Sequence, residues 1–193
     1  MKHLLLFFNL ILFGCAKPQV GLWNKPNNFA NENSLNDEGT VNPIHMMVRK
    51  KILLGFKFLS NGDYTNILDQ MDDNIHYRFS GNHALGGERF SKNATELWFK
   101  RLTRLFQSDF RIYKIEISGP PWDMLVVTQF SDFAKPKSAN CSPYVNPGIQ
   151  IAKLRFDKIV DVITYVDTKK IITALDCLAS NGVTEAGLPP IEG

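Results

Sequence analysis

Two side chains that could bind a polar ligand stand two residues apart, at positions 76 and 78. Residues 74–80 alternate between apolar and polar types, which predicts a strand with two unlike sides. His76 and Arg78 share its polar side. An arginine binds anions and carbonyl oxygens through a fork of N–H donors, and a histidine exchanges protons near neutral pH. The pair predicts a site for an anionic or carbonyl-containing ligand if this side lines a cavity, and ordinary surface residues if it faces solvent.

A loop histidine and two tryptophans are further candidates. His83 could be an acid or base at the mouth of a pocket, or it could be bonded to the backbone of its own loop. Trp98 and Trp122 could line a ligand pocket, although large aromatic side chains more often pack in a core or at its rim.

Metal and cofactor chemistry have little support in the sequence. His76 and His83 with Asp73 follow no known zinc spacing, and no cysteines accompany them. The chain has no nucleophile elbow, Walker loop or dinucleotide fingerprint. We therefore expect neither a metal nor a cofactor.

The spacing of apolar residues predicts four helices that would position these side chains. Residues 44–59 carry an apolar side chain at every third or fourth position, which places them on one helical face. A short second helix is expected to end near residue 71. Asn93 opens a capping-box pattern for a third helix, which runs to about residue 106. Asp167 stands where it would cap a short final helix.

The second half of the chain has mostly the patterns of strands. A hairpin turn is expected at residues 157–158, and residues 135–148 are expected to form a loop. Helices early in the chain and consecutive strands later predict an α+β domain. Its curved mixed or antiparallel sheet, with three helices across the open side, would form a cone that encloses a pocket. The expected strands are 74–80, 110–118, 124–133, 149–156 and 159–166.

The first residues of the chain predict export. Residues 4–13 are almost wholly apolar but too few to span a bilayer as a helix, and they precede Gly14 and Cys15. This pattern resembles the lipobox of bacterial lipoprotein signals, in which the cysteine receives lipid; the alternatives are a secretory signal cut near Ala16 and an uncleaved or misread start. We expect a cell-envelope protein that is lipid-anchored, secreted or periplasmic. The expected divisions are a signal peptide over 1–14, a disordered tether over 15–42, a domain over 43–180 and a tail over 181–193.

The charge balance excludes some partners. Lys and Arg number 22 and Asp and Glu number 19, so the net charge is +3. So weak a balance predicts neither nucleic-acid binding nor a polybasic membrane patch. Membrane attachment is expected only through lipid on Cys15. Cys141 and Cys177 could pair in an exported protein, but two free thiols are slightly favoured because the sequence cannot show that they meet.

Five segments occur in an order that is typical of one superfamily: 58–64, 76–87, 98–102, 119–123 and 165–168. Together they make residues 44–180 resemble a SnoaL-like member of the NTF2-like superfamily, which includes polyketide cyclases, ketosteroid isomerases and epoxide hydrolases. The resemblance implies a cone-shaped, apolar cavity with a few polar groups. The side chains assigned to that pocket are Arg78, His83, Trp98, Trp122 and Tyr165.

The resemblance also bears on catalysis, because known members use a carboxylate as the base that removes a proton beside a carbonyl. The positions that match the ketosteroid-isomerase groups hold Arg78, Ala152 and Gly55, so that machinery is missing. Asp167 is then the nearest candidate base, with His76 as the other, although an aspartate before a helix is usually a cap.

Three functions stay open at this point. The favoured one is binding of a hydrophobic small molecule, without an assigned reaction. The second is a polyketide cyclase-like or isomerase-like enzyme that works by proton transfer. The third is an interaction module that forms a homodimer through the sheet.

Overall fold

Residues 42–193 fold into four α-helices and a seven-stranded sheet in the computed structural model, which describes this part of the chain. The predicted signal peptide, Cys15 and all but the last residue of the predicted tether lie outside the described residues. None of the helices within residues 42–193 is long and apolar enough to cross a bilayer. The helices are α1 (Pro43–Ser60), α2 (Thr65–Gln70), α3 (Lys92–Leu105) and α4 (Thr168–Ser180), followed by a 3₁₀ turn (Thr184–Gly187). The strands are β1 (Met71–Phe79), β2 (Gly87–Arg89), β3 (Phe106–Gln107), β4 (Phe110–Ser118), β5 (Met124–Pro136), β6 (Tyr144–Arg155) and β7 (Lys158–Val166).

The sheet has the order β2-β1-β7-β6-β5-β3, and β4 also pairs with β5. All neighbouring strands are antiparallel except β1 and β7, which are parallel. The sheet curls, and α1, α3 and α4 pack against it. The α+β cone predicted from the sequence is confirmed.

One helix cap and one hairpin turn differ from the predictions. Helix α3 is capped by Ser91 rather than by Asn93, because the Ser91 hydroxyl accepts the Ala94 N–H at 3.2 Å. The hairpin between β6 and β7 turns at Phe156 and the residue after it, one position earlier than predicted. Phe156 has a φ of 57°, a left-handed conformation that a large side chain rarely adopts.

Strand β6 begins at Tyr144, inside the predicted loop, although Pro147 would be expected to exclude a strand. The pairing explains the exception. β5 pairs with β6 from Tyr144 onward, but β7 joins the other edge of β6 only at Gly148. Pro147 therefore lies where β6 is still an edge strand, and its missing N–H removes no bond to a second neighbour.

Cys141 and Cys177 form a disulfide between the β5–β6 loop and α4, with their Cα atoms 5.9 Å apart. This corrects the expectation that free thiols are slightly favoured. The two cysteines are 36 positions apart in sequence, and only the packing of α4 beside the loop brings them together.

The last residues of the chain are held against the domain by two buried arginines. Arg101 donates to the Pro189 carbonyl at 2.8 Å, and Arg89 donates to the Ile191 carbonyl at 3.2 Å. Arg89 also lies against the rings of Tyr77 and Trp98, and burial lowers its pKa to about 10. The C-terminal residues thus support the two aromatic side chains that face the interior.

Candidate functional site

A cavity of about 400 Å³ lies between the helices and the inner face of the sheet. Because side chains alternate between the two faces of a strand, every second residue of the sheet faces the cavity. On β1 these are Tyr77 and Phe79, and on β5 they are the alternate residues from Val126 to Asp132. Side chains of α1 and α3 close the other side. Most of the lining is apolar, so an apolar ligand inside would be removed from water.

Two carboxyl groups line the cavity, and only one of them is deeply placed. Asp157 lies on the exposed β6–β7 turn, whereas Asp132 lies on β5. Burial raises the pKa of Asp132 to about 7, and the nearby Asp109 charge acts in the same direction. The Ser108 hydroxyl donates to Oδ2 of Asp132 at 3.0 Å. Oδ1 is buried and has no hydrogen-bond partner among the described residues.

Tyr144 and Asn146 on β6 neighbour this carboxyl group, since Asn146 pairs directly with Asp132. The Asn146 amide is already engaged, because its Oδ1 accepts the Asp167 N–H at 3.0 Å and its Nδ2 donates to the Asp167 carbonyl at 3.3 Å. Burial, together with the charge of Asp132, raises the pKa of Tyr144. Tyr144 therefore remains a neutral phenol near neutral pH.

A second polar group of side chains crosses three strands farther along the wall. Gln150 pairs with Thr128 on one side and Thr164 on the other, and its Nε2 donates to the Thr164 hydroxyl at 3.2 Å. Thr164 also hydrogen-bonds Tyr77, whose pKa burial raises to about 12. These groups satisfy one another and offer a ligand fewer free positions than Asp132 does.

Phe130 separates the two polar regions of the cavity. Its ring lies over Gly148 so closely that a Cβ at 148 would be 2.6 Å from the Phe130 Cζ atom. Phe56 and Phe110 pack around the same ring, at centroid distances of 5.7 and 5.8 Å. A ligand that reaches Asp132 would therefore place its apolar body against aromatic side chains.

Solved structures show what this architecture is. No family model and no curated protein matches the chain. An NTF2-like protein from Anabaena variabilis ATCC 29413 superposes with a TM-score of 0.54 at 17% identity, over 68% of this chain and 96% of that one. The domain has the NTF2-like fold.

Two further structures with this fold have names that suggest chemistry. A candidate SnoaL-like polyketide cyclase from Jannaschia sp. CCS1 has a TM-score of 0.54 at 12% identity, over 70% of this chain and 96% of that one. A candidate isomerase from Bacillus subtilis has a TM-score of 0.59 at 13% identity, with the same coverage. The resemblance predicted from the sequence is confirmed for the fold. Sequence identities this low do not show that the activities are shared.

In this fold, His76 and Arg78 lie on the outer face of the sheet. The side chains that alternate with them, Tyr77 and Phe79, line the cavity instead. This corrects the expectation that the pair looks inward. The polar side of β1 is its solvent side because the cavity is lined mainly by apolar groups.

Ion pairs and rings engage this outer cluster. His76 Nε2 lies 3.0 Å from Glu88 Oε2, and its ring stacks on Phe90 at 4.8 Å. Arg78 donates to the Tyr165 hydroxyl at 2.9 Å, so Tyr165 also faces outward rather than into the predicted pocket. The cluster is a surface network across β1, β2 and β7.

Asp167 and His83 are both engaged by backbone groups. Asp167 caps α4 by accepting the N–H groups of Lys169 and Lys170 at 3.1 and 3.4 Å, as the sequence predicted. His83 Nε2 lies 3.1 Å from the Ser80 carbonyl, and burial lowers the pKa of the ring. Neither side chain lines the cavity.

The two tryptophans have different positions. Trp98 lines the cavity, is buried, and donates to the Leu85 carbonyl at 2.8 Å. Trp122 lies on the exposed β4–β5 turn outside the lining. Within residues 42–193, no cluster of three or more His, Cys, Asp or Glu side chains could hold a metal ion.

Asp132 is the functional candidate that the sequence analysis missed, although a signal was present. It lies in the predicted strand 124–133, in phase with the apolar residues Val126 and Phe130. A carboxylate in the buried phase of a strand is uncommon and marks a site or a strand end.

Proposed function

We propose that this NTF2-like domain is an exported small-molecule-binding protein that takes an apolar compound carrying one carbonyl oxygen. The observation that carries the proposal is the Asp132 carboxyl, which lines an apolar cavity and whose Oδ1 has no hydrogen-bond partner among the described residues. Below a pH of about 7 the Asp132 carboxyl is protonated and can donate a hydrogen bond. A carbonyl oxygen of the ligand would accept that hydrogen bond.

A matched pair of ligands tests the proposal. 2-Acetylnaphthalene and 2-isopropylnaphthalene have almost the same shape, but only the first carries a carbonyl oxygen. We expect both to raise the melting temperature of the full chain. The ketone should bind up to about tenfold more tightly at about pH 5, and this preference should disappear at about pH 9, where Asp132 is ionised and cannot donate. A failure of both ligands to stabilise the chain, or a preference that ignores pH, would contradict the proposal.

Two substitutions show whether the ligand occupies this cavity. Ala152 lines the cavity, so Ala152→Phe should fill it and abolish binding of both naphthalenes. Leu125 lies on the neighbouring strand and is exposed outside the lining, so Leu125→Phe is the matched control and should retain binding. Equal loss of binding in both variants would place the ligand elsewhere.

A second candidate function is proton transfer, and the pKa of Asp132 favours it. A group with a pKa of about 7 can both accept and release a proton at neutral pH, as a general base must. In a bound ketone such a base would remove a proton from the carbon beside the carbonyl.

Exchange of the methyl protons of 2-acetylnaphthalene in D₂O, followed by NMR, separates catalysis from binding. An enzyme of this kind should accelerate the exchange, and Asp132→Asn, which preserves the shape of the side chain, should remove the acceleration. If wild type and variant give the same exchange rate while both bind the ketone, the domain binds without proton transfer.

The proposed export is supported by the Cys141–Cys177 disulfide, since such bonds persist mainly in oxidising compartments. In a bacterial host we expect the chain in the membrane fraction with the disulfide formed. Cys15→Ser should release it if lipid on that cysteine is the anchor. Recovery of the wild-type chain from the cytoplasm with free thiols would contradict export.

A further inference from the structure

Helix α1 concentrates positive charge that the whole-chain balance conceals. Its 18 residues include Arg49, Lys50, Lys51 and Lys57 and no acidic residue. Within residues 42–193, none of these four side chains takes part in an ion pair. The helix therefore keeps four charges that no neighbouring carboxylate in the described part of the chain balances.

The exposed side of α1 is apolar as well as basic. Val48 and Phe56 mark its buried side. On the opposite side Met46, Met47 and Leu54 are 45%, 51% and 51% exposed, and they lie beside Lys50 and Lys57. Lysines interspersed with apolar side chains on one helix face are typical of helices that lie in the interface of an anionic bilayer.

Two exposed aromatic residues continue this surface at the mouth of the cavity. His45 Nε2, in the first turn of α1, lies 3.0 Å from the Gly119 carbonyl and so joins the helix to the β4–β5 turn. Trp122 on that turn is 61% exposed, and Phe156 on the β6–β7 turn is 68% exposed. Phe156 lines the mouth together with Met47, and its N–H donates to the Pro121 carbonyl.

Phe156 holds its exposed position at a cost. Its positive φ is unfavourable for a phenylalanine, and the exposed ring gains little from burial in this domain. Trp and Phe side chains at an exposed edge find a favourable environment at the headgroup level of a membrane. The same two turns and the strand ends beside them carry two carboxylates, Asp123 and Asp157, and two cations, Arg155 and Lys158, so their formal charges cancel and the net charge of the surface comes from α1.

We propose that α1 and the two turns form a docking surface for an anionic phospholipid bilayer, with the mouth of the cavity against the lipid. The surface consists of Met46, Met47, Lys50, Leu54, Lys57, Trp122 and Phe156. An apolar ligand would then pass between membrane and cavity without crossing water. The docking does not depend on which ligand the cavity takes or on whether Asp132 catalyses a reaction.

The length of chain before α1 fits this arrangement. The apolar residues 4–13 and Cys15 precede Pro43, with 27 residues (16–42) between Cys15 and the helix. A chain of 27 residues spans at most about 95 Å. A bilayer that holds the apolar segment would thus keep α1 within that distance.

Quenching of tryptophan fluorescence by brominated lipid tests docking in the full chain. The probe is a vesicle of equimolar phosphatidylglycerol and brominated phosphatidylcholine, with flotation as the measure of attachment. In a Trp23→Phe background, which keeps only Trp98 and Trp122, we expect vesicle-bound chain to show quenching that Trp122→Phe largely removes, because Trp98 is buried. High salt should weaken the quenching. Vesicle-bound chain with unquenched Trp122, or chain that does not float, would overturn the proposal.

Charge reversal separates docking from attachment by the N-terminal segment. Lys50→Glu with Lys57→Glu should lower the docking equilibrium constant by more than about thirtyfold, which is the effect expected for losing two cations near an anionic surface, because two anions also replace them. Lys135→Glu with Lys137→Glu makes the same charge change at the other end of β5 and should leave the quenching unchanged. Equal effects of the two pairs, or a dimer without vesicles that the α1 pair dissociates, would overturn the proposal.

Discussion

The Ser108 hydroxyl donates to Oδ2 of Asp132 at 3.0 Å, whereas Oδ1 of the same carboxyl has no hydrogen-bond partner within residues 42–193. This bond orients the carboxyl group, which lines the cavity. Hydrogen bonds from Ser108 and from the Asp109 backbone would lower the pKa of Asp132, but burial outweighs them and the pKa rises to about 7. A group held in this way is oriented yet chemically unsatisfied.

Asp132 should make the domain less stable as the pH rises. The folded state binds the Asp132 proton more tightly than the unfolded chain, whose ordinary pKa is 3.8. Between about pH 4 and pH 7 this group therefore lowers the free energy of unfolding by at most about 1.4 kcal/mol per pH unit. Asp132→Asn removes the titration, so the stability of the variant relative to wild type should increase across that window and stay constant above it. Urea unfolding at several pH values measures the difference; parallel profiles would contradict the raised pKa.

Asp167 should behave as a cap and not as a base. Asparagine caps a helix as well as aspartate does, whereas alanine cannot. Asp167→Asn should thus leave the stability almost unchanged, and Asp167→Ala should cost about 1 kcal/mol. Both variants should retain the naphthalene binding and any proton exchange measured in wild type. Loss of exchange in a stable Asp167→Asn variant would restore Asp167 as the catalytic candidate.

The sequence predicted the fold because its elements have strong local signals. The helical spacing of residues 44–59 and the alternation of 110–118 need no knowledge of tertiary contacts. The start of strand β6 was harder to predict, because Pro147 is tolerated only where a single neighbouring strand pairs with β6. Local patterns thus identify elements, whereas their exact ends depend on pairing.

The site was less predictable because alternation gives two sides of a strand without saying which one is inside. His76 and Arg78 are the chemically richer side of β1, yet the cavity takes the apolar side. Asp132 shares the phase of the apolar residues of β5, but its raised pKa arises from burial in three dimensions. Site chemistry follows from the enclosure, which no single segment encodes.

Loss of the Cys141–Cys177 disulfide should destabilise the domain. Replacing both cysteines with serine frees a loop of 36 positions in the unfolded chain. The entropy that the loop regains should lower the free energy of unfolding by about 3–4 kcal/mol. Reduction of the wild-type chain should lower the urea midpoint to about that of the double variant. Reductant should not change the midpoint of the double variant. An unchanged midpoint after reduction would show that the bond contributes nothing to stability.

The outer face of the sheet should bind a second copy of the chain. Val127, Ile151 and Ile163 form an apolar row across β5, β6 and β7, and none of the four helices within residues 42–193 covers it. The neighbouring Ile149 and Tyr165 are exposed. An uncovered apolar patch of this kind is typical of an interface, and a two-fold arrangement would place the row of one copy against the same row of the other.

Light scattering on the full chain in detergent measures this directly, and we expect the mass of two chains for wild type. Ile151→Glu introduces a charge into the middle of the row and should give the mass of one chain. Gln129→Glu, an exchange beside the row at an already polar position, is the matched control and should remain a dimer. Because Ile151 faces away from the cavity, both variants should bind 2-acetylnaphthalene as wild type does. A single-chain mass for wild type would show that no homodimer forms and would contradict this prediction.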